Sequence, residues 1–75
     1  MTRAEQKAQQ ARIAVGVLAH QAARKAVKNQ LRAQGLRVHE LTARELTLRA
    51  EIWLAWHPEI VEEARVRAAA LGYFA

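Results

Sequence analysis

A run of residues without proline, from Arg3 to Gln34, constrains the fold of this chain more than any other feature. Most of these residues are Ala, Gln, Lys, Arg and Leu, which are among the best helix formers. Thr2 and Glu5 have the spacing of a capping box, and Gly35 suits the left-handed position that often follows a helix. The sequence therefore predicts one helix over about 3–34, which is ~48 Å long at ~1.5 Å per residue.

Two shorter helices are predicted in the rest of the chain. Thr42 and Glu45 form a second capping box, and Pro58 disfavours continuation of a helix but is favoured in the first turn of a new one. These signals predict a connector over 35–42, a helix over 43–56 and a helix over 58–71 that ends at Gly72. Tyr73 and Phe74 are expected to fold back on its last turn. With 75 residues, the chain is expected to form a single all-α domain, a helical bundle with a small core.

The predicted helix lengths do not match, and this favours a homodimer. A helix of ~14 residues is only ~21 Å long, so folding both short helices against one half of the long helix would leave its other half bare. Gly16, Ala19, Ala23 and Ala26 form a narrow seam on which a helix of a second copy can pack closely. Trp56 is predicted to lie in the same interface or to anchor a partner. The monomeric alternative places the short helices end to end along the long one.

Charge is divided unevenly between the two halves of the chain. Residues 1–39 carry eight of the twelve lysines and arginines and a single acid, whereas residues 40–75 are mildly acidic. On a helical wheel most cations of the long helix share one arc, with Arg24 at its edge, and most of its alanines lie opposite. Since no acid stands between Glu5 and Glu40 to pair with this arc, it predicts contact with a polyanion, while a solvated helix face is the alternative. The predicted binding residues are Lys7, Arg24, Lys25, Lys28 and Arg32.

Several classes of function are disfavoured by the residues that the chain lacks. It has no Ser, Cys or Asp, so most nucleophile–base pairs cannot be assembled, and we expect neither an enzyme nor a cofactor. His20, His39 and His57 are too far apart in sequence for a metal motif. The alanine-rich side of the long helix is poorly suited to a membrane. The absence of cysteine is compatible with a cytoplasmic protein.

The C-terminal half of the chain resembles short helical proteins encoded in proteobacterial phages and mobile elements. The resemblance is carried by Lys28, Leu31-Arg32-Ala33, Gly35, Glu45-Leu46, Leu54, His57-Pro58-Glu59 and Glu63-Ala64. It implies a small accessory protein, either a DNA-binding regulator or an inhibitor of host defence. It transfers no functional residue to this chain.

Two functions follow from these patterns as hypotheses. The first is a homodimeric binding protein whose basic long helix contacts the nucleic-acid backbone, as a phage or mobile-element regulator. The alternative is a protein-targeting inhibitor or adaptor, such as an anti-defence protein, in which the basic arc meets an acidic surface of a host protein or nucleoprotein complex. A conventional helix-turn-helix reading is disfavoured, because Glu59, Glu62 and Glu63 at the start of the third helix would repel phosphates.

Overall fold

The computed structural model describes residues 2–73 and contains only helices and turns over that range. The first helix, α1, spans Arg3–Ala33, and a single 3₁₀ turn spans Val38–Glu40. The second helix, α2, spans Ala43–Trp56, and the third, α3, spans Glu59–Ala70. The prediction of an all-α chain with a long N-terminal helix is therefore confirmed, and each helix end lies within one residue of its predicted position.

Threonine caps begin the first two helices. The Thr2 hydroxyl accepts a hydrogen bond from the Glu5 amide at 3.2 Å. At α2 the exchange is reciprocal, since the Thr42 hydroxyl accepts from the Glu45 amide at 3.1 Å and the Glu45 carboxylate accepts from the Thr42 amide at 3.5 Å. These bonds satisfy amides that have no partner within the helix.

Glycines in the left-handed region end α1 and α3. Gly35 has φ +77° and Gly72 has φ +92°, conformations that residues with a Cβ rarely adopt. The next amide reaches back to the final helical turn in each case, at 2.9 Å for Leu36 and 3.1 Å for Tyr73. Both ends therefore have the hydrogen bonds of a Schellman motif. The expected return of Tyr73 is observed, and Phe74 lies outside the described residues.

The two short helices lie one after the other along α1. Leu46 of α2 packs with Val27 and Leu31, in the C-terminal half of α1. Ala64 and Ala68 of α3 pack in the N-terminal half of α1. The molecule measures 48 × 21 × 19 Å, so its long dimension is about the length of α1. This is the end-to-end arrangement, and it removes the reason for expecting a second copy, because α1 has no bare half to cover.

The buried side of α1 turns around the helix axis instead of running straight along it. Every fourth residue is buried over its central and C-terminal part: Ala11, Val15, Ala19, Ala23, Val27 and Leu31. At ~100° per residue each step of four advances ~40°, so the buried stripe turns by ~200° in all. The alanines opposite the cations are therefore not all buried, and Ala22 and Ala33 are exposed.

The two central residues of the predicted alanine seam, Ala19 and Ala23, are covered from within the chain. Ala19 is 3% exposed and Ala23 is 0% exposed, and Ala19 packs with Ala64 and Ala68 of α3. The seam does permit close approach of a second helix, as its composition predicted, but that helix belongs to the same chain. The assignment of Ala19 and Ala23 to an interface with a second copy is therefore wrong.

Candidate nucleic-acid interface

Four of the five predicted binding residues surround one shallow groove on the outer face of α1. The groove is lined by Gln21, Arg24, Lys25, Lys28, Asn29 and Arg32. These residues recur at intervals of three or four, which places their side chains on successive turns of one helix face. Arg24 and Lys28 are half-buried, whereas Lys25 and Arg32 are exposed. The aliphatic part of a long cationic side chain can pack in this way while its charge stays in water.

Lys7 does not join this groove. It is exposed near the start of α1, and seventeen residues separate it from Arg24, a distance of ~26 Å along the helix axis. A ligand that covers the groove would have to extend about four more helical turns, from Gln21, to reach it. The structure therefore brings together Arg24, Lys25, Lys28 and Arg32 and leaves Lys7 apart.

Arg67 of α3 adds a fifth cation that the sequence did not reveal. It borders a second groove, which shares Gln21, Lys25 and Asn29 with the first. Because the grooves share this wall, they form one surface, which we call the cationic strip: Arg24, Lys25, Lys28, Arg32 and Arg67. The sequence does place Arg67 next to Ala68, an apolar position of α3, which indicates that Arg67 lies near the side of α3 that packs on α1. It does not indicate which part of α1 Ala68 contacts.

Within residues 2–73, no ion pair neutralises a cation of the cationic strip. Among those residues, no carboxylate lines either groove. Within residues 2–73 the ion pairs are Arg37–Glu40 at 3.6 Å, His57–Glu59 at 3.0 Å and Arg65–Glu62 at 3.3 Å, and none includes a residue of the strip. Like charges held together without counter-charges create a field that attracts an anionic ligand.

The other predicted interface residues lie in different environments. Gly16 is exposed on α1, Ala26 is half-buried beside the cationic strip, and Trp56 is 78% exposed at the end of α2. Self-association through Gly16, Ala26 or Trp56 stays a prediction.

Trp56 borders a groove between α1 and α2, which we call the tryptophan groove. It is lined by Val27, Gln30, Leu31, Gln34, Arg49, Ile52, Trp53, Trp56 and His57, and it has a volume of about 370 Å³. The ring of Trp53 stacks on His57 with centroids 4.5 Å apart and also packs against the α1–α2 core. The two tryptophans therefore differ, since Trp53 is half-buried and Trp56 is almost free of contacts.

A fourth groove, the apolar groove, lies near the other end of the molecule. Its lining includes Ile13 and Val17 of α1 together with Leu71 and Tyr73 after α3. All four side chains are substantially exposed, between 44% and 61%. Exposed apolar side chains gathered in one place are a feature of protein-binding surfaces.

His57 and Glu59 make a side-chain contact across Pro58. Within residues 2–73 it is the only ion pair between a histidine and a carboxylate. His57 Nδ1 lies 3.0 Å from Glu59 Oε1. The pKa of Glu59 is lowered below the ordinary 4.5, mainly by a hydrogen bond from its own backbone amide; desolvation opposes this, and His57 lowers the pKa further through a hydrogen bond and its charge. The carboxylate therefore favours the folded state at pH above 4.5, and this contribution is lost as the pH falls through the lowered pKa.

We found no match to this chain among protein-family models, curated proteins or solved structures. The structure also provides, within residues 2–73, no group of three or more His or acidic side chains placed to hold a metal ion. No helix in that range has the length and apolar character needed to cross a bilayer.

Proposed function

We propose that this protein is a non-enzymatic binding module that contacts the phosphate backbone of nucleic acid through the cationic strip. The observation that carries this proposal is the gathering of five unpaired cations, from α1 and α3, around two adjoining grooves without a carboxylate. Phosphates of a nucleic acid present a regular row of negative charge that such a strip can neutralise.

Recognition through this surface is expected to be largely independent of sequence. The strip offers lysines and arginines along the outer side of a helix, a pattern suited to phosphate oxygens. The start of α3 carries Glu59 and Glu62 in its first turn, and these acids disfavour its insertion between phosphates as a recognition helix. Affinity is therefore expected to come from charge, and the proposed biological role is that of a regulator or architectural accessory.

The resemblance of the C-terminal half to small phage and mobile-element proteins supports an accessory role of this kind. Such a protein would act in the cytoplasm, where nucleic acid is accessible to it. Binding without much sequence readout suits a protein that coats or bridges a nucleic acid instead of selecting one operator.

Salt dependence of DNA binding tests the proposal. Five phosphate contacts predict a log–log slope of affinity against salt of about −4.5, at ~0.9 per contact. Lys28→Gln is expected to weaken binding to all sequences alike and to reduce the slope by about 1. The matched control is Lys7→Gln, which removes the same charge from the same helix ~26 Å away from Arg24 and should change the slope little.

A second pair of variants tests the contribution of α3. Arg67→Gln is expected to weaken binding as Lys28→Gln does. The control is Arg65→Gln, two residues earlier in the same helix, which should weaken binding less because Arg65 is paired with Glu62. Equal losses for Lys7→Gln and Lys28→Gln would show that net charge, and not the strip, determines binding.

The alternative function, a protein-targeting inhibitor or adaptor, is favoured by the apolar groove at Ile13, Val17, Leu71 and Tyr73. A host protein with an acidic rim and an apolar ridge would complement this groove and the nearby cations. A pull-down from host lysate with and without nuclease separates the two functions. Negligible DNA binding at low salt, together with a nuclease-resistant protein complex, would reject the nucleic-acid function and support the alternative.

A further inference from the structure

Trp56 exposes a large aromatic surface that the fold does not use. It is the last residue of α2, its side chain belongs to neither core cluster, and 78% of it is accessible. Trp53, one turn earlier, supplies the packing against Val27 and Leu31. Truncation of Trp56 is therefore expected to leave the core intact, so its role can be tested without unfolding the protein.

The walls of the tryptophan groove are mixed in chemistry. Gln30 and Gln34 provide amide donors and acceptors from α1, and Arg49 provides a cation from α2. Arg49 takes part in none of the ion pairs found within residues 2–73. In the part of the chain that the structure describes, no carboxylate lines the groove. An aromatic face, two amides and an unpaired cation are the groups that would contact a base, the edge of that base and a phosphate.

We infer that the tryptophan groove is a subsite for a nucleobase of a single strand, with the base stacked on Trp56 and an adjacent phosphate near Arg49. This inference rests on the proposed function, because it assumes that the cationic strip holds the same strand. An apolar partner helix would fit less well, since it would cover Gln30, Gln34 and Arg49 without offering them hydrogen-bond partners.

The position of the groove relative to the cationic strip favours a single strand over a duplex. Both surfaces use the same stretch of α1, from Arg24 to Gln34, which is ~15 Å long. The strip lies on one side of this stretch and the groove on another, so a flexible strand that crosses α1 contacts both. Bases in a duplex are stacked on one another and cannot reach the indole without unpairing.

The test compares two strands of the same length. One is a thymidine oligonucleotide of about 12 nucleotides, within the range that small single-strand-binding sites cover, and the other is its abasic counterpart with the same phosphates. The expected result for Trp56→Ala is a loss of about 5- to 100-fold in affinity for the thymidine strand and no loss for the abasic strand. Trp56→Phe should retain part of the affinity because it keeps an aromatic face.

A matched control lies outside the groove on the same helix. Leu48 is 50% exposed on α2 and lines none of the grooves described above, so Leu48→Ala should change the affinity for the two strands little. Tryptophan fluorescence adds an independent measurement, because stacking on Trp56 should quench the wild-type emission and the quenching should be lost in Trp56→Phe, where only Trp53 emits.

The outcomes separate this inference from the proposed function. If Trp56→Ala binds both strands as tightly as the wild type does, while Lys28→Gln still weakens binding to both, the stacking subsite is overturned and the proposed function stays in place. Failure of either strand to bind at low salt would overturn both. Free thymidine monophosphate binding as tightly as the strand would overturn the link to the cationic strip. Loss of a nuclease-resistant protein complex in Trp56→Ala, without a change in strand affinity, would assign the groove to a protein partner and overturn the inference.

Discussion

The two halves of α1 are held by cores of different composition. In the C-terminal half, Val27 and Leu31 pack with Leu46 of α2, and Trp53 covers them. In the N-terminal half, Val15 and Ala19 pack with two alanines of α3, and the larger side chains packed against them are only partly buried: Leu18, Leu54, Ile60 and Val61. Apolar stabilisation is about 25 cal/mol per Å² of buried surface, and an alanine buries far less than a leucine or tryptophan. We therefore expect the α1–α2 half to be the more stable one and the α1–α3 half to open more readily.

The exposed surfaces follow the same division. Four of the five cations of the strip and the α1 side of the tryptophan groove lie within residues 24–34, the end of α1 and its cap, which pack mainly on α2. The fifth cation, Arg67, lies on α3. The apolar groove uses residues 10–21, which pack mainly on α3. The surface proposed to bind nucleic acid is thus built largely on the half expected to be more stable, whereas the surface of the alternative function lies on the half expected to open more readily. A groove that opens easily can adapt to a protein partner, and a charged strip benefits from fixed positions.

Truncation in the leucine-based core should give the largest loss of stability. Leu31 is 6% exposed, and Leu31→Ala is expected to reduce the free energy of unfolding by about 2–5 kcal/mol, because it removes transfer free energy and leaves a cavity. Urea denaturation followed by circular dichroism measures this loss. Leu48 is 50% exposed on α2, so Leu48→Ala should change stability by about 0.5 kcal/mol or less. Similar losses for the two variants would show that the proposed core is not the stabilising one.

Enlargement in the alanine-based core should have a somewhat smaller effect of a different kind. Ala19→Leu inserts a larger side chain between α1 and α3 and is expected to cost about 1–3 kcal/mol through overpacking. Ala22, three residues later and exposed, gives the matched control, since Ala22→Leu meets no close-packed neighbour helix. The loss at Ala19 should not depend on protein concentration. A loss that shrinks on dilution would instead indicate that Ala19 faces a second copy.

The helix boundaries could be predicted because their signals are local. Thr42 with Glu45, Pro58 and the two glycines at Gly35 and Gly72 each act through hydrogen bonds or dihedral angles within a few residues. The path of the chain beyond those boundaries depends on how helices pack, and the length mismatch was compatible with both a dimer and an end-to-end monomer. The spacing of apolar residues along the sequence does not reveal which of these two arrangements has the more favourable packing energy.

The candidate site was predictable to the extent that it lies on one helix. Arg24, Lys25, Lys28 and Arg32 share a face of α1, and helical geometry alone places them together. Lys7 shares the wheel position but not the axial position, which a wheel does not represent. Arg67 reaches the strip only through the packing of α3 on α1, and no spacing in the sequence encodes that register.

Glycine substitutions give the smallest expected effects and also test whether a second copy packs on the less stable half. Gly16 is exposed within α1, and a Cβ added there would meet nothing within 4 Å. Gly16→Ala is therefore expected to stabilise the chain by about 0.5–1 kcal/mol, because alanine loses less backbone entropy in a helix. Gly35 also has open space but has φ +77°, so Gly35→Ala should cost about 1 kcal/mol through backbone strain.

Urea denaturation at two protein concentrations, with sedimentation velocity of the wild type, measures these effects. If the helix of a second copy packs closely on Gly16, the added methyl group would clash with it, and the stabilisation would fall or reverse as the concentration rises. A gain that is the same at both concentrations, from a protein that sediments as a monomer, would exclude Gly16 from any interface and remove the remaining support for the alanine seam as a site of self-association.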